Sequence, residues 1–210
     1  MPKPRFGSRL EVHFNSVITR DNIDEIAPLA EWIFAEELVD GHYFNLIRGD
    51  ARDPRLKAVN QQAVSQLYPK LTSVQQRYAK RLFRESPPVI RAAKRWAYAA
   101  TLAFHHRIQL ENLEGPRKWP MPCTAGETSA VIDFDGRVRA CELRPPVGRL
   151  RDYAMDLRAL WGSEQRRREP ERISCEGCWC THVCFIHDSL RYSWRALLWE
   201  IPRSYLLRSS

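Results

Sequence analysis

The chain has 210 residues, of which 44% are hydrophobic, and 33 lysines and arginines outnumber 25 aspartates and glutamates for a net charge of +8. This length and apolar content suffice for the core of one or two small domains, and the charge excludes an acidic solvating tail as the main theme. No stretch approaches about 18 consecutive apolar residues, so we predict no membrane span. The basic N-terminus lacks the apolar segment of a signal peptide, and we therefore expect a cytoplasmic protein.

The first fifty residues predict one β–α–β unit. Residues 10–19 alternate and then become apolar and β-branched, as a buried strand does. Asp21 or Asn22 can cap a helix that ends near residues 40–41, and residues 42–48 predict a second strand. One such unit implies a parallel pair but cannot bury it on both faces, so we expect the chain to be part of something larger.

Residues 52–95 carry eleven lysines and arginines but only two acids, Asp53 and Glu85, and so account for the whole net charge. Apolar positions between 56 and 71 recur at helical spacing, and residues 89–109 predict a second helix after a Ser-Pro-Pro interruption. A solvated basic face explains this charge without any ligand. The alternative is a polyanion site for nucleic acid or an anionic membrane, although no aromatic residues interleave for base stacking.

From Trp119 onward, prolines and glycines punctuate shorter elements. Residues 130–134 and 137–141 predict a β-hairpin around the turn Asp135–Gly136. Beyond it the sequence predicts a loop over 144–148, a short helix over 155–161, a charged connector at 166–168 and a final amphipathic helix over 190–201 that Pro202 stops.

The cysteines are confined to the last part of the chain, and a disulfide framework would need an export route that the sequence does not show. Thiols crowded in this way are better explained as metal ligands, and a sulfur-rich set indicates zinc or an iron–sulfur cluster. His182 is a further candidate, and Gly177 gives the backbone freedom to turn between close thiolates. The candidate ligands are Cys123, Cys141, Cys175, Cys178, Cys180 and Cys184.

Three interpretations of the spacing remain open. A structural zinc knuckle would use the four cysteines from Cys175 to Cys184, but the single residue between Cys178 and Cys180 is awkward for two ligands of one tetrahedral ion. Disulfide pairing is the second. An iron–sulfur site is the third, and it also uses the upstream pair Cys123 and Cys141.

The spacing of the upstream cysteines resembles a known motif. Cys123 is followed by twelve residues, Gly136, four residues and Cys141, and then by closely spaced cysteines. This resembles the auxiliary-cluster region of radical S-adenosylmethionine (radical SAM) enzymes, which is called SPASM or, in a shorter form, twitch. The similarity covers about residues 121–190, and the glycine corresponds to the hairpin turn that sets both cysteines beside the cluster.

The upstream residues resemble the same family. Residues 14–26 are similar to a late strand and helix of the radical SAM partial barrel, and residues 43–49 to its last strand. The resemblance thus implies an α/β fold that combines the end of a partial (β/α) barrel with a small SPASM/twitch-like domain. The implied segments are the barrel end (1–50), a basic helical segment (51–118), the iron–sulfur domain (119–190) and a C-terminal helix (191–210).

For function, the resemblance implies auxiliary 4Fe–4S binding. A full SPASM region holds two clusters, but six thiols cannot give four ligands to each, so we expect one cluster, held by Cys123, Cys141 and two of the four later cysteines. Such a cluster relays electrons, anchors a peptide or small-molecule substrate, or braces the active-site wall. Trp179 and Phe185 could shield it. His13 and Asn15 would face the mouth of the barrel.

Two family features are missing from this sequence, since no cysteine precedes Cys123 and no early glycine-rich stretch is present. The family's motif Cys-x-x-x-Cys-x-x-Cys holds the cluster that binds S-adenosylmethionine. We therefore expect no activity from this chain alone, and S-adenosylmethionine as a cofactor only where another sequence or a partner chain supplies the missing half. The competing hypothesis is a zinc-stabilised module that binds nucleic acid through the basic helices at 52–95.

Overall fold

The computed structural model describes residues 11–207, in which helices predominate over two small sheets and no closed barrel forms. The protein is therefore mixed α/β, as expected. The strands are β1 (His13–Ile18), β2 (Gly41–Leu46), β3 (Val131–Ile132), β4 (Arg137–Arg139) and β5 (Pro146–Arg149). The helices are α1 (Ile26–Ala35), α2 (Gln61–Leu82), α3 (Pro88–Glu111), α4 (Leu157–Trp161), α5 (Glu164–Cys175), α6 (Val183–Leu190) and α7 (Ile201–Leu207).

The predicted β–α–β unit is confirmed. Strands β1 and β2 pair in parallel, from His13 opposite Gly41 to Ile18 opposite Leu46, and α1 connects them. One face of the pair is covered less completely, because Val17 and Tyr43, which share that face, remain exposed. The expected segments 1–50 and 191–210 extend into residues 1–10 and 208–210, which lie outside the described part of the chain.

The two predicted basic helices are also confirmed, as α2 and α3. The Asn60 side chain caps α2 by accepting a hydrogen bond from the Ala63 backbone N–H at 3.1 Å. Pro88 occupies the first turn of α3, where a missing N–H costs nothing. The buried face of α2, which includes Val64 and Leu71, packs against α1 and the parallel strands in one apolar core.

The predicted hairpin forms between β3 and β4, but the loop predicted over 144–148 is wrong. Its second half is β5, which pairs antiparallel with β4 across an irregularity at Val138–Arg139. Pro146 begins this strand, a position at which proline's missing N–H is tolerated. The result is a three-stranded sheet rather than an isolated hairpin.

The charged connector predicted at 166–168 is wrong as well, because these arginines lie within α5. Ser163 caps the helix by accepting from the Arg166 N–H at 3.3 Å, and Arg168 pairs with Glu164 one turn earlier. Glu169, which is buried, accepts a hydrogen bond from Arg144 at 2.6 Å. Capping and ion pairing explain why a sequence so rich in charge is helical.

Pro202 does not stop the final helix as predicted. It occupies the second position of α7, directly after a π-helical turn over Ala196–Glu200. The wider turn accommodates the proline ring, which would clash with the carbonyl four residues earlier in a regular helix. No helix in residues 11–207 combines the length and apolar character that crossing a bilayer requires.

Candidate metal centre

A tight turn and the hairpin bring Cys123 and Cys141 together. The turn over 124–129 is closed by the Gly126 N–H donating to the Ser129 carbonyl at 3.2 Å. Gly126 has a φ of +81°, and a Cβ added there would lie 2.9 Å from the Cβ of Ala140. The turn therefore packs its backbone directly against the residue that precedes Cys141, and only glycine allows that approach.

The end of α5 supplies the second pair of cysteines. Glu176 caps the helix, Gly177 takes the left-handed conformation with a φ of +62°, and the Cys178 N–H donates to the Ile173 carbonyl at 3.2 Å. This bond, from a residue past the glycine to the last turn of the helix, is a Schellman motif. It reverses the chain so that Cys178 and Cys180 leave the helix axis and turn towards the hairpin.

Four of the six cysteines gather in one apolar cluster: Cys123, Cys141, Cys178 and Cys180. Burial raises the pKa of Cys123, raises that of Cys141 to about 11 and raises that of Cys180 to about 12. The charge of Cys178 raises all three pKa values further, so the four sulfur atoms lie within electrostatic reach of one another. Four thiolates could persist in this apolar site only around a cationic centre.

Backbone donors face three of these sulfur atoms. The N–H groups of Leu143 and His182 donate to Cys141 Sγ at 3.5 Å and Cys180 Sγ at 3.4 Å. The Ala125 N–H bonds to Cys123 in the same way and works against the rise in its pKa. In each case the donor is two residues after the cysteine. Such bonds stabilise a thiolate more than a thiol.

The remaining two candidates are exposed and do not pack into this cluster. Cys175 is the last residue of α5 and Cys184 is the second residue of α6. Of the four cysteines that a zinc knuckle would use, two are therefore exposed and two are partly buried. All six cysteines are free thiols, so no disulfide forms. Within residues 11–207, no group of three or more His, Cys, Asp or Glu side chains could hold a metal ion as placed.

A charged junction ties the cysteines to the parallel strands. Arg48, just past the carboxyl end of β2, donates to Glu142 Oε1 at 2.8 Å and approaches His182 Nε2 at 3.3 Å. Glu142 follows Cys141 in the sequence, and His182 follows Cys180 by two residues. Burial and the charge of Arg48 lower the pKa of His182 to about 4, so its ring is neutral at pH 7.

Through its Nε2 atom, His182 is thus a partner of Arg48 and Glu142. Sequence reasoning missed Arg48 and Glu142. Arg48 ends the predicted second strand and Glu142 follows Cys141, but nothing in the spacing indicated that these two residues contact each other.

The predicted flanking residues have different outcomes. Trp179 and Phe185 pack against the apolar cluster that contains the four cysteines, as expected for residues that shield it. His13 is the first residue of β1 and so lies at the amino end of the parallel pair, opposite the end that leads to Arg48. Asn15 accepts a hydrogen bond from Asn45 at 2.6 Å. The expectation that His13 and Asn15 face the mouth of a barrel stays a prediction, because residues 11–207 form no closed barrel.

Comparison with protein-family models, with curated proteins and with solved structures finds no match to this chain. The resemblance to radical SAM enzymes thus rests only on the sequence motif described above. The grouping of the four cysteines rests on the structure.

Proposed function

We propose that this chain is an iron–sulfur protein that holds one 4Fe–4S cluster on Cys123, Cys141, Cys178 and Cys180. The observation that carries the proposal is the gathering of these four thiols in one apolar cluster. Four cysteines match the ligand requirement of a 4Fe–4S cluster, and the two that are left over are the two exposed ones. The spacing of the cysteines alone does not select this set.

The arrangement favours a cluster over a single zinc ion. Four Zn–S bonds of about 2.3 Å bring their sulfur atoms within about 3.8 Å of one another, which strains two ligands separated by one residue. In a 4Fe–4S cluster each thiolate binds a different iron atom, so the sulfur atoms stay farther apart. Cys178 and Cys180, with Trp179 between them, suit the wider spacing. A zinc knuckle would also need Cys175 and Cys184, which are exposed, and this counts against the zinc alternative.

The surrounding residues would set the properties of such a cluster. When bound, it would supply reversible one-electron transfer or an anchor in the wall of a larger active site. The N–H groups of Ala125, Leu143 and His182 would share the sulfur charge and thereby favour the reduced state. Trp179 and Phe185 would exclude water from one side.

We further propose that the parallel pair is the end of a partial radical SAM barrel, completed by strands that this chain does not contain. Val17 and Tyr43 remain exposed on one face of the pair, whereas parallel sheets are normally covered on both faces, which supports a larger assembly around this unit. Since the three-cysteine SAM motif is absent from the sequence, the chain alone would not cleave S-adenosylmethionine. A peptide or small molecule would be the substrate of the completed enzyme. Co-purification with a chain that carries the motif tests this part.

Anaerobic reconstitution with iron and sulfide tests the cluster itself. We expect about four iron atoms per chain and a broad absorption band near about 400 nm. The double variant Cys175→Ser/Cys184→Ser should retain both, whereas Cys123→Ser and Cys180→Ser should each lose most of the band. Stoichiometric zinc in a colourless protein would refute the proposal, and so would loss of iron only in the double variant.

The zinc-stabilised nucleic-acid module gains little from the structure. Most cations of the 52–95 segment have partners within the chain: Arg77 pairs with Glu31, Arg84 pairs with Glu85, and Lys57 donates to the Gly49 carbonyl. These contacts leave a solvated basic face rather than a concentrated strip for phosphates. Affinity for nucleic acid that falls steeply with salt would revive that alternative.

A further inference from the structure

The last helical segment carries an exposed apolar face that the proposed cluster does not use. It consists of Trp194 and Arg195, the π-helical turn over 196–200 and α7. One side packs on α3 and buries Ala196, Ile201 and Ser204. The other side exposes four large side chains: Trp194 at 77%, Leu198 at 72%, Trp199 at 65% and Leu206 at 72%. A helix that buries one apolar face normally has polar residues on the face that solvent contacts.

The charges around this face are mostly positive, although Arg191 at its start lies 3.9 Å from the carboxylate of Asp188. Residues 191–207 contain three arginines, Arg191, Arg195 and Arg203, all exposed, and a single acid, Glu200. Glu200 is buried and pairs with Arg107 of α3 at 2.8 Å. The only acid of α3, Glu111, pairs with that same arginine at 3.1 Å. The last helical segment and α3 therefore expose cations to solvent, whereas their two carboxylates, Glu200 and Glu111, both pair with Arg107.

A basic groove continues this surface at the seam between the helices. Lys80 of α2 and Arg95 of α3 line a cavity of about 340 Å³ together with Trp96 and Tyr205. The Trp96 and Tyr205 rings meet edge to face across the seam, with centroids 6.2 Å apart. Two further cations thus lie next to the helix that carries the exposed apolar side chains.

We propose that this face binds the surface of a membrane that contains anionic lipids. In such a helix, tryptophans and leucines enter the boundary between headgroups and acyl chains, while arginines contact the lipid phosphates. The helix would lie in the plane of the surface, since its opposite side is already packed on α3. Charge complementarity selects this occupant: exposed cations flank the apolar side chains, and the only acid in this segment is turned inward.

Other occupants fit the surface less well. In a symmetric contact between two copies, the three arginines would face a surface with the same charge and no exposed carboxylate to pair with. Nucleic acid would use the arginines but leave Leu198 and Leu206 without a role. Both remain measurable outcomes.

Sedimentation of the full chain with lipid vesicles tests the proposal. We expect binding to vesicles of phosphatidylcholine mixed with phosphatidylglycerol, and much weaker binding to phosphatidylcholine alone. Added salt should weaken the binding, because it screens the attraction between arginines and lipid phosphates.

Two variants and two matched controls locate the surface. Trp194→Ser/Leu198→Ser should bind anionic vesicles at least about tenfold more weakly, because less apolar area enters the lipid. Arg195→Glu/Arg203→Glu should weaken binding about thirtyfold or more. Trp32→Ser, at an exposed tryptophan on α1, and Arg151→Glu/Arg158→Glu, at exposed arginines elsewhere, should bind as the unmodified chain does.

Several results would overturn the proposal. They are no binding to anionic vesicles, equal binding by the face variants and the controls, and a dimer in light scattering that dissociates in Trp194→Ser/Leu198→Ser. Binding to nucleic acid with none to vesicles would do the same. Thermal melting by circular dichroism verifies folding, and if the apolar variant melts early, the charge variant decides. None of these measurements depends on bound iron.

Discussion

Trp119 connects the start of the cysteine-bearing region to its last cysteine loop. It is almost completely buried, and its indole nitrogen donates to the carbonyl oxygen of Cys180 at 3.1 Å. Its ring also lies 6.1 Å from that of Trp179, centroid to centroid. The Trp119 side chain thus holds the backbone carbonyl of Cys180, while the sulfur atom of Cys180 accepts a hydrogen bond from the His182 N–H.

Replacing Trp119 by phenylalanine should destabilise the fold. The Cys180 carbonyl would lose its donor in a buried position, a loss of about 1–3 kcal/mol. Urea unfolding followed by circular dichroism measures the change. Trp32→Phe, at a tryptophan that is 62% exposed, should shift the free energy of unfolding by less than about 0.5 kcal/mol. Equal effects of the two substitutions would contradict this role for Trp119.

The candidate ligands show what a sequence can specify at this scale. All six cysteines were visible as candidates, and Cys123 and Cys141 stood out through Gly136. The choice among the later four depends on where α5 ends and α6 begins, which places Cys175 and Cys184 on exposed helical positions. Helix ends are set by capping contacts across the fold, so the spacing alone left that choice open.

At the scale of elements, the C-terminus of α5 governs where two thiols point. Gly177 occupies the left-handed position of the Schellman motif, with a φ of +62°. An alanine there would strain the backbone by about 1–2 kcal/mol, and the turn would relax by moving Cys178.

Gly177→Ala should therefore lower the free energy of unfolding and, after reconstitution, the iron content. Gly162→Ala is the matched control, because Gly162 has an ordinary helical φ of −78° and an added methyl group would lie at contact distance, 3.4 Å from the Arg158 carbonyl oxygen. That variant should be neutral or slightly stabilising. Urea unfolding and iron analysis of both proteins check the prediction, which fails if Gly177→Ala behaves like its control.

The elements were predictable where periodicity is strong. The helices α1, α2 and α3 and the parallel pair followed from apolar spacing and turn residues. Helix α5 did not, since its sequence is dominated by charge and its stability rests on Ser163, on the Arg168–Glu164 pair and on the buried contact from Arg144 to Glu169. The π-helical turn before Pro202 was likewise unpredictable, because one widened turn leaves no periodic trace.

At the scale of the whole molecule, the parallel pair exposes apolar side chains on one side. Val17 is 45% exposed and Tyr43 is 51% exposed. Such a strand surface promotes association between copies at high concentration. Val17→Lys should lower light scattering at equal protein concentration. Phe134→Lys, in the fully exposed hairpin turn, serves as control, and an equal reduction by both would show that the sheet face has no special role.

Three buried histidines, His42, His105 and the His182 described above, make stability sensitive to acid. Burial lowers the pKa of His42 to about 4, and burial with the nearby charge of His187 lowers the pKa of His105 to about 3. The unfolded chain, with ordinary values near about 6.5, binds more protons, so stability falls as pH drops from about 6.5 to 4. Each group contributes up to about 1.4 kcal/mol per pH unit.

Urea midpoints at pH 7 and pH 5 measure this loss. His105→Leu removes one titrating ring and should reduce the difference between the two midpoints. His13→Asn, at an exposed histidine, is the control. Equal midpoints at the two pH values in the unmodified chain would contradict the prediction.

For the molecule as a whole, the sequence predicted the class of fold and the composition of the candidate site but not how its parts meet. The parallel pair and the hairpin could each be derived from local pattern. Their meeting through Arg48 and Glu142 depends on contacts between distant segments, which local pattern does not encode.

Arg48 also has a consequence for the order of folding. Its contacts reach Glu142 and His182 across sequence separations of 94 and 134 residues. Contacts that close such long loops form late, after local helices such as α2 and α3 have already repaid part of the lost chain entropy. The junction of Arg48, Glu142 and His182 should therefore close late, after the helices on either side of it have formed.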